Sequence, residues 1–112
     1  MKIIIPQRWR TDVVAILDQA QAGTIIVKER PGNDWRNLDD SHFEAGLYDV
    51  LADALSVTGV LKGKEHTMDE EGECYSFSFR YRVPATGGEI TLYTKLNLLT
   101  GGQIVICYSA HT

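Results

Sequence analysis

Cysteine is scarce in this chain: Cys74 and Cys107 are the only two, they stand far apart, and neither has a CxxC neighbour. Zinc-ribbon and dithiol-redox readings therefore have nothing to build on. Both cysteines alternate onto one presumed sheet face, so a cross-strand disulfide needs only a register that brings them close, but a reducing compartment favours two reduced thiols. Positive charge is also in deficit, with eleven Lys and Arg against fifteen Asp and Glu and a formal charge of −4. That balance argues against indiscriminate nucleic-acid binding, since proteins that neutralise phosphates are usually basic. No apolar run approaches the roughly 18 residues of a membrane span, and Lys2-Ile3-Ile4-Ile5 is cut short by Pro6 and two arginines, so neither a membrane segment nor a secretory leader is expected. The corresponding expectation is a cytoplasmic protein. Repeats, low-complexity tracts and interdomain linkers are missing too, which makes residues 1–112, 44% apolar, a single domain able to bury its own core.

What is present is uneven. From Ser78 onward there are three cations, Arg80, Arg82 and Lys95, against the single acid Glu89, leaving fourteen acids and eight bases in the preceding part. An acidic body with a locally positive face is the implied arrangement, and local field steers a ligand more than net charge does.

Along the chain, Lys2 to Ile5 read as a short strand or arm, and Gln7-Arg8-Trp9-Arg10 as a loop. Thr11 or Asp12 caps a helix over Asp12–Ala22, carried by Val13, Val14, Leu17 and Ala20 and closed near Gly23. Thr24–Lys28, dense in β-branched residues, reads as a strand. Glu29–Asp40 reads as a loop pinned by Trp35 and Leu38. Ser41 and Glu44 have capping-box spacing ahead of a second helix, His42–Ser56, with Phe43, Leu47, Val50, Leu51, Ala54 and Leu55 as its apolar stripe and Asp49 and Asp53 on the wet side. Val57–Met68 reads as an irregular strand or loop, and Asp69-Glu70-Glu71-Gly72 as a charged turn. The acids there, with Glu73, suit a wet turn better than a divalent cation site, and no metal or other cofactor is expected.

The rest of the chain alternates. Tyr75, Phe77, Phe79, Tyr81 and Val83 oppose Ser76, Ser78, Arg80 and Arg82; Ile90, Leu92, Leu96 and Leu98 oppose Thr91, Tyr93, Lys95 and Asn97; Ile104, Ile106 and Tyr108 oppose Cys107, Ser109 and His111. Pro84–Gly88 and Thr100-Gly101-Gly102 are hairpin connections. The expected architecture is α+β, two helices packed on one face of a three- to four-stranded antiparallel sheet. Phe77, Phe79, Leu92 and Ile106 should lie beneath the helices, and Arg80, Arg82, Tyr93, Lys95, Ser109 and His111 should face solvent.

The strings Tyr81-Arg82-Val83-Pro84, Leu92-Tyr93-Thr94-Lys95-Leu96 and Ile104–His111, following a helix that ends in Ala-Gly, a strand and a second helix, resemble the RelE/MqsR-like toxins of type II toxin–antitoxin systems. The resemblance runs from about Asp12 onward. It implies a small metal-independent endoribonuclease that cuts messenger RNA and is silenced by a cognate antitoxin. Tyr93 and Lys95 match the tyrosine–lysine strand of that group, and Lys64 a lysine preceding the sheet in its MqsR-like branch. The chain departs from the group in its acidic total and in lacking a glutamine around Glu73–Ser76.

Cleavage of RNA without metal uses the ribose 2′-hydroxyl as nucleophile; the protein must take its proton, stabilise the phosphoryl oxygens and protonate the leaving 5′-oxygen. Arg80 and Arg82 are suited to gripping phosphate, Lys95 to the developing charge, His111 to acid–base work and Tyr93 to stacking on an unpaired base. Each has a plainer reading as an exposed strand residue. Lys62-Gly63-Lys64-Glu65-His66 can grip a phosphate or simply be a solvated loop. The competing function is a non-enzymatic protein-binding module, such as a phage-encoded inhibitor or a degenerate toxin relative, whose acidic helices engage a basic partner. A homodimer built by pairing exposed strand faces is a third option.

Overall fold

Pro6 starts a helix where the sequence reading expects a loop. The Arg10 amide donates to the Pro6 carbonyl at 3.2 Å, closing the first turn of α1 (Gln7–Gln19), and proline suits that position because its missing N–H would have no partner there. Trp9, Arg10, Val13, Ile16 and Leu17 then form one buried stripe at helical spacing. Neither Thr11 nor Asp12 is a cap, since both lie well inside the helix. Trp9 stands edge-on to Tyr75 with centroids 5.0 Å apart, and its indole N–H donates to the Glu73 carbonyl at 2.8 Å. These contacts fix α1 to the sheet.

The computed structural model describes residues 2–19, 21–28, 46–83 and 86–111. The expected loop over 29–40, the Ser41–Glu44 capping box and Phe43 lie outside the described residues. The second helix, α2 (Gly46–Leu55), buries Leu47, Val50, Leu51 and Leu55 and leaves Asp49 and Asp53 exposed, as its stripe predicts, while Ala52 is buried in place of the expected Ala54, which is half-buried. Arg10 ties the two helices together. Arg10 is 1% exposed, and its guanidinium donates to the carbonyls of Leu55 (2.9 Å), at the C-terminal end of α2, and of Val57 (2.7 Å) and Gly59 (2.8 Å) just beyond it, groups that would otherwise lack partners.

The sheet corrects the sequence reading: it has six strands and is mixed, not three or four and antiparallel. Its strands are β1 (Ile3–Ile4), β2 (Ile25–Val27), β3 (Lys62–His66), β4 (Gly72–Arg82), β5 (Glu89–Leu99) and β6 (Val105–His111), in the spatial order β1-β3-β4-β5-β6-β2. The antiparallel run β3–β6 is the expected meander. The two short strands complete it at opposite edges: β1 antiparallel to β3, and β2 parallel to β6 through Ile25↔Val105 and Val27↔Cys107. Gly63 permits the close fit of β3, because a Cβ there would collide with the Ser76 carbonyl and sit 2.9 Å from Ile5 Cδ1.

One face of the sheet carries the main core, where Tyr75, Phe77, Leu92, Leu96, Leu98 and Val105 pack with the buried stripes of α1 and α2. The other face is open except at one end. A β-bulge opposite Lys95 and Leu96 alters the alternation of β6: Ser109 pairs with Lys95 while Cys107 pairs with Leu96, leaving Tyr108 as the extra residue. The Ser109 carbonyl accepts from the buried Thr94 hydroxyl at 2.9 Å. Ile106 and Tyr108 consequently leave the helix side and join Cys74 in a small second cluster beneath Met68 and Leu99, whereas Cys107 enters the main core. This reverses the expected placement of Ile106 and Cys107. It also puts the two cysteines on opposite faces, so they cannot pair, and burial pushes the Cys107 thiol up to about 11.

Candidate functional site

Strand alternation and register together gather polar side chains into rows across the open face. One row runs Lys64, Ser76, Lys95, Ser109 through the pairs Lys64↔Ser76, Ser76↔Lys95 and Lys95↔Ser109. The next runs Ser78, Tyr93, His111, and the row on the other side begins with His66 beside Cys74. With strands about 4.8 Å apart, Lys64 and Lys95 are separated by the width of two strand spacings, within reach of one phosphate for two long flexible stems. A depression of about 300 Å³ lies at the β1 side of these rows, lined by Lys2, Lys62, Lys64, His66, Ser76 and Tyr93 among others.

Within this depression His66 Nε2 and Ser76 Oγ share a hydrogen bond of 2.7 Å. Burial lowers the His66 pKa, and the positive charges of Lys95 and Lys64 lower it further, so the imidazole is neutral at pH 7. Tyr93 and His111 lie ring against ring, centroids 5.1 Å apart and planes 36° apart, forming a tilted aromatic shelf beside the lysine row.

The far end of the open face is closed. The Tyr108 hydroxyl donates to Glu70 at 2.6 Å, Asn97 donates to the Glu70 carbonyl at 3.0 Å, and Lys28 reaches the Glu70 carboxylate at 3.3 Å. Burial, then the bond to Glu70 and its charge, push the Tyr108 hydroxyl up to about 12 despite the opposing bond from Asn97. Lys95 Nζ stands 6.0 Å from the Tyr108 ring, the upper limit for a cation–π contact.

Of the residues singled out from sequence, Lys95, Tyr93, His111 and Lys64 come together. Arg80 and Arg82 do not. Arg82 sits six residues beyond Ser76 on β4, roughly 20 Å along the strand, and both guanidinia face Glu89, at 3.5 Å from Arg80 and 3.6 Å from Arg82. The pairing Arg82↔Glu89 places that acid directly across from the cation. The local positive field therefore comes from Lys95 together with Lys2, Lys62 and Lys64, the last three of which the charge count assigned to the acidic part of the chain. Ser76 and Lys2 are the residues sequence reasoning passed over, whereas Lys62 and His66 were weighed with Lys64 as a phosphate grip or a solvated loop and prove to be strand residues. The signal for placing them together was the i, i+2, i+4 spacing of Lys62, Lys64 and His66, which a strand puts on one face.

Among the described residues no group of three His, Cys, Asp or Glu side chains is placed to hold a metal ion. The acidic turn is committed elsewhere, Glu70 to Tyr108 and Lys28, and Glu73 to Arg8 at 2.8 Å. No described helix is long and apolar enough to cross a membrane. No protein-family model, curated protein or solved structure matches the chain.

Proposed function

We propose that the open sheet face binds single-stranded RNA and cleaves it without a metal ion, as a cytoplasmic messenger-RNA endonuclease restrained by an antitoxin protein. One observation carries the reading: in a chain of net charge −4, Lys64 and Lys95 flank Ser76 in one cross-strand row and lie close enough to His66 to lower its pKa. Lys64 and Lys95 take the phosphoryl oxygens, with Lys62 and Lys2 receiving the neighbouring phosphates. An unpaired base lies on the Tyr93–His111 shelf. His66, neutral at pH 7, takes the 2′-hydroxyl proton; the 2′-oxygen attacks phosphorus, and the 5′-oxygen leaves with a proton from the Lys95 ammonium, giving a 2′,3′-cyclic phosphate and a 5′-hydroxyl. In this arrangement His111 acts through Tyr93 on the base, while acid–base work falls to His66 and Lys95.

The test is cleavage of a labelled single-stranded RNA in EDTA by the purified chain and by the double variant Lys95→Ala with His111→Ala. Cyclic-phosphate ends from the parent chain and none from the variant are expected. RNA left intact by a folded parent chain refutes the enzyme. A second reading, the non-enzymatic protein-binding module, is favoured by one feature: Ile4, Val57 and Val60 are more than half exposed near one sheet edge.

A further inference from the structure

The β1 edge combines three properties that no other described edge combines. First, it is unpaired on its outer side among the described residues, since β1 ends the strand order with β3 as its neighbour. The Ile5 amide donates inward to the Leu61 carbonyl at 2.8 Å, and backbone polar groups alternate in direction along an antiparallel strand. The N–H and C=O of Ile4 therefore point away from the sheet. Second, the edge is apolar, with Ile4 58% and Ile3 39% exposed and Val60, just before β3, 66% exposed. Third, it is cationic on the open face, where Ile4 pairs with Lys62 and Lys2 joins the same depression.

We infer that β1 accepts an additional antiparallel or parallel strand from a partner protein, an extended segment alternating acidic and β-branched residues. The main chain of that segment bonds to Ile4, its acidic side chains face Lys2 and Lys62, and its apolar ones cover Ile3. Charge selects this occupant over a second copy of the chain, because joining two β1 edges sets Lys2 and Lys62 of one copy near those of the other, and facing like charges destabilise paired strands. The inference rests on the edge and not on the proposed RNA chemistry.

The probe is a short synthetic peptide of alternating glutamate and valine, followed by fluorescence anisotropy and by hydrogen-exchange protection of the Ile4 amide. Ile4→Pro removes the outward donor and leaves the Ile5 bond in place; it is expected to weaken peptide binding at least about tenfold, the factor that about 1.4 kcal/mol represents, while RNA binding is unchanged. Lys2→Glu with Lys62→Glu, a second variant that keeps the backbone intact, is expected to transfer preference to a lysine–valine peptide. Absence of binding, equal binding of both peptides by the parent chain, binding indifferent to Ile4→Pro, or self-association abolished by Ile4→Pro would each overturn the inference. An RNA result cannot decide it, so the failure of either reading is distinguishable from failure of the other.

Discussion

Replacing Lys95 with alanine removes one of four ammonium groups, those of Lys2, Lys62, Lys64 and Lys95, that the fold turns toward the open sheet face. Single-stranded nucleic acid releases counterions when its phosphates are neutralised, and log K falls against log salt with a slope of about −0.7 per phosphate contacted. Four contacts give a slope of about −2.8, hence a loss of about fiftyfold in affinity between 50 and 200 mM salt. With three contacts the slope becomes about −2.1 and the loss about eighteenfold. The assay is anisotropy of a labelled single-stranded RNA whose 2′-hydroxyls are methylated, so that binding is read without cleavage. Arg80→Ala and Arg82→Ala serve as internal controls: each guanidinium faces Glu89, and the slope should stay at the parent value. A parent slope near zero, or a slope lowered by the arginine variants and unmoved by Lys95→Ala, would refute the assignment of the cationic surface.

Three further outcomes are expected. Arg10→Met keeps the stem but strips the donors from the Leu55, Val57 and Gly59 carbonyls, and should cost about 3 kcal/mol in urea unfolding, with Arg10→Lys recovering only part because an ammonium lacks the planar fork. The His66 pKa lies below its ordinary 6.5 in the folded chain, so on acidification through 6.5 the unfolded chain takes up the proton first and stability falls; thermal midpoints between pH 7.5 and 5 should show this decline, and His66→Gln should reduce it. Cys107, buried and held as a thiol at about 11, should resist iodoacetamide at pH 8 in the native protein and react on unfolding, as mass spectrometry of labelled peptides would show.

Much of the fold was legible where one periodicity runs without interruption. The stripe of α2 and the alternation of β4 and β5 placed Leu47, Leu51, Phe77 and Leu92 in the core and Tyr93 and Lys95 on the open face. The expectation failed where tertiary pairing decides. Nothing local to Ile25–Val27 says that it runs parallel to β6, and nothing in Gln7–Arg10 says that a tryptophan and an arginine there will be the largest fully buried side chains of a helix. The site was half visible for a similar reason. Lys95 and Tyr93 follow from alternation, but the partner row on β3 depends on register, and the cancellation of Arg80 and Arg82 depends on Glu89 lying across the hairpin.

The bulged residue in β6 gives one short ribbon two allegiances. Before Tyr108 the ribbon sends Val105 and Cys107 to the helical layer; after it, Ser109 and His111 share the side occupied by Lys95 and Tyr93. Deleting Tyr108 would restore strict alternation with Ser109 still opposite Lys95, so Ser109 and His111 would keep their side and Ala110 would stay inward. Such a shortened chain retains every ammonium group and the paired rings of Tyr93 and His111 yet loses the phenol that closes the far end through Glu70, so a single-codon deletion separates that closure from the seating of bases.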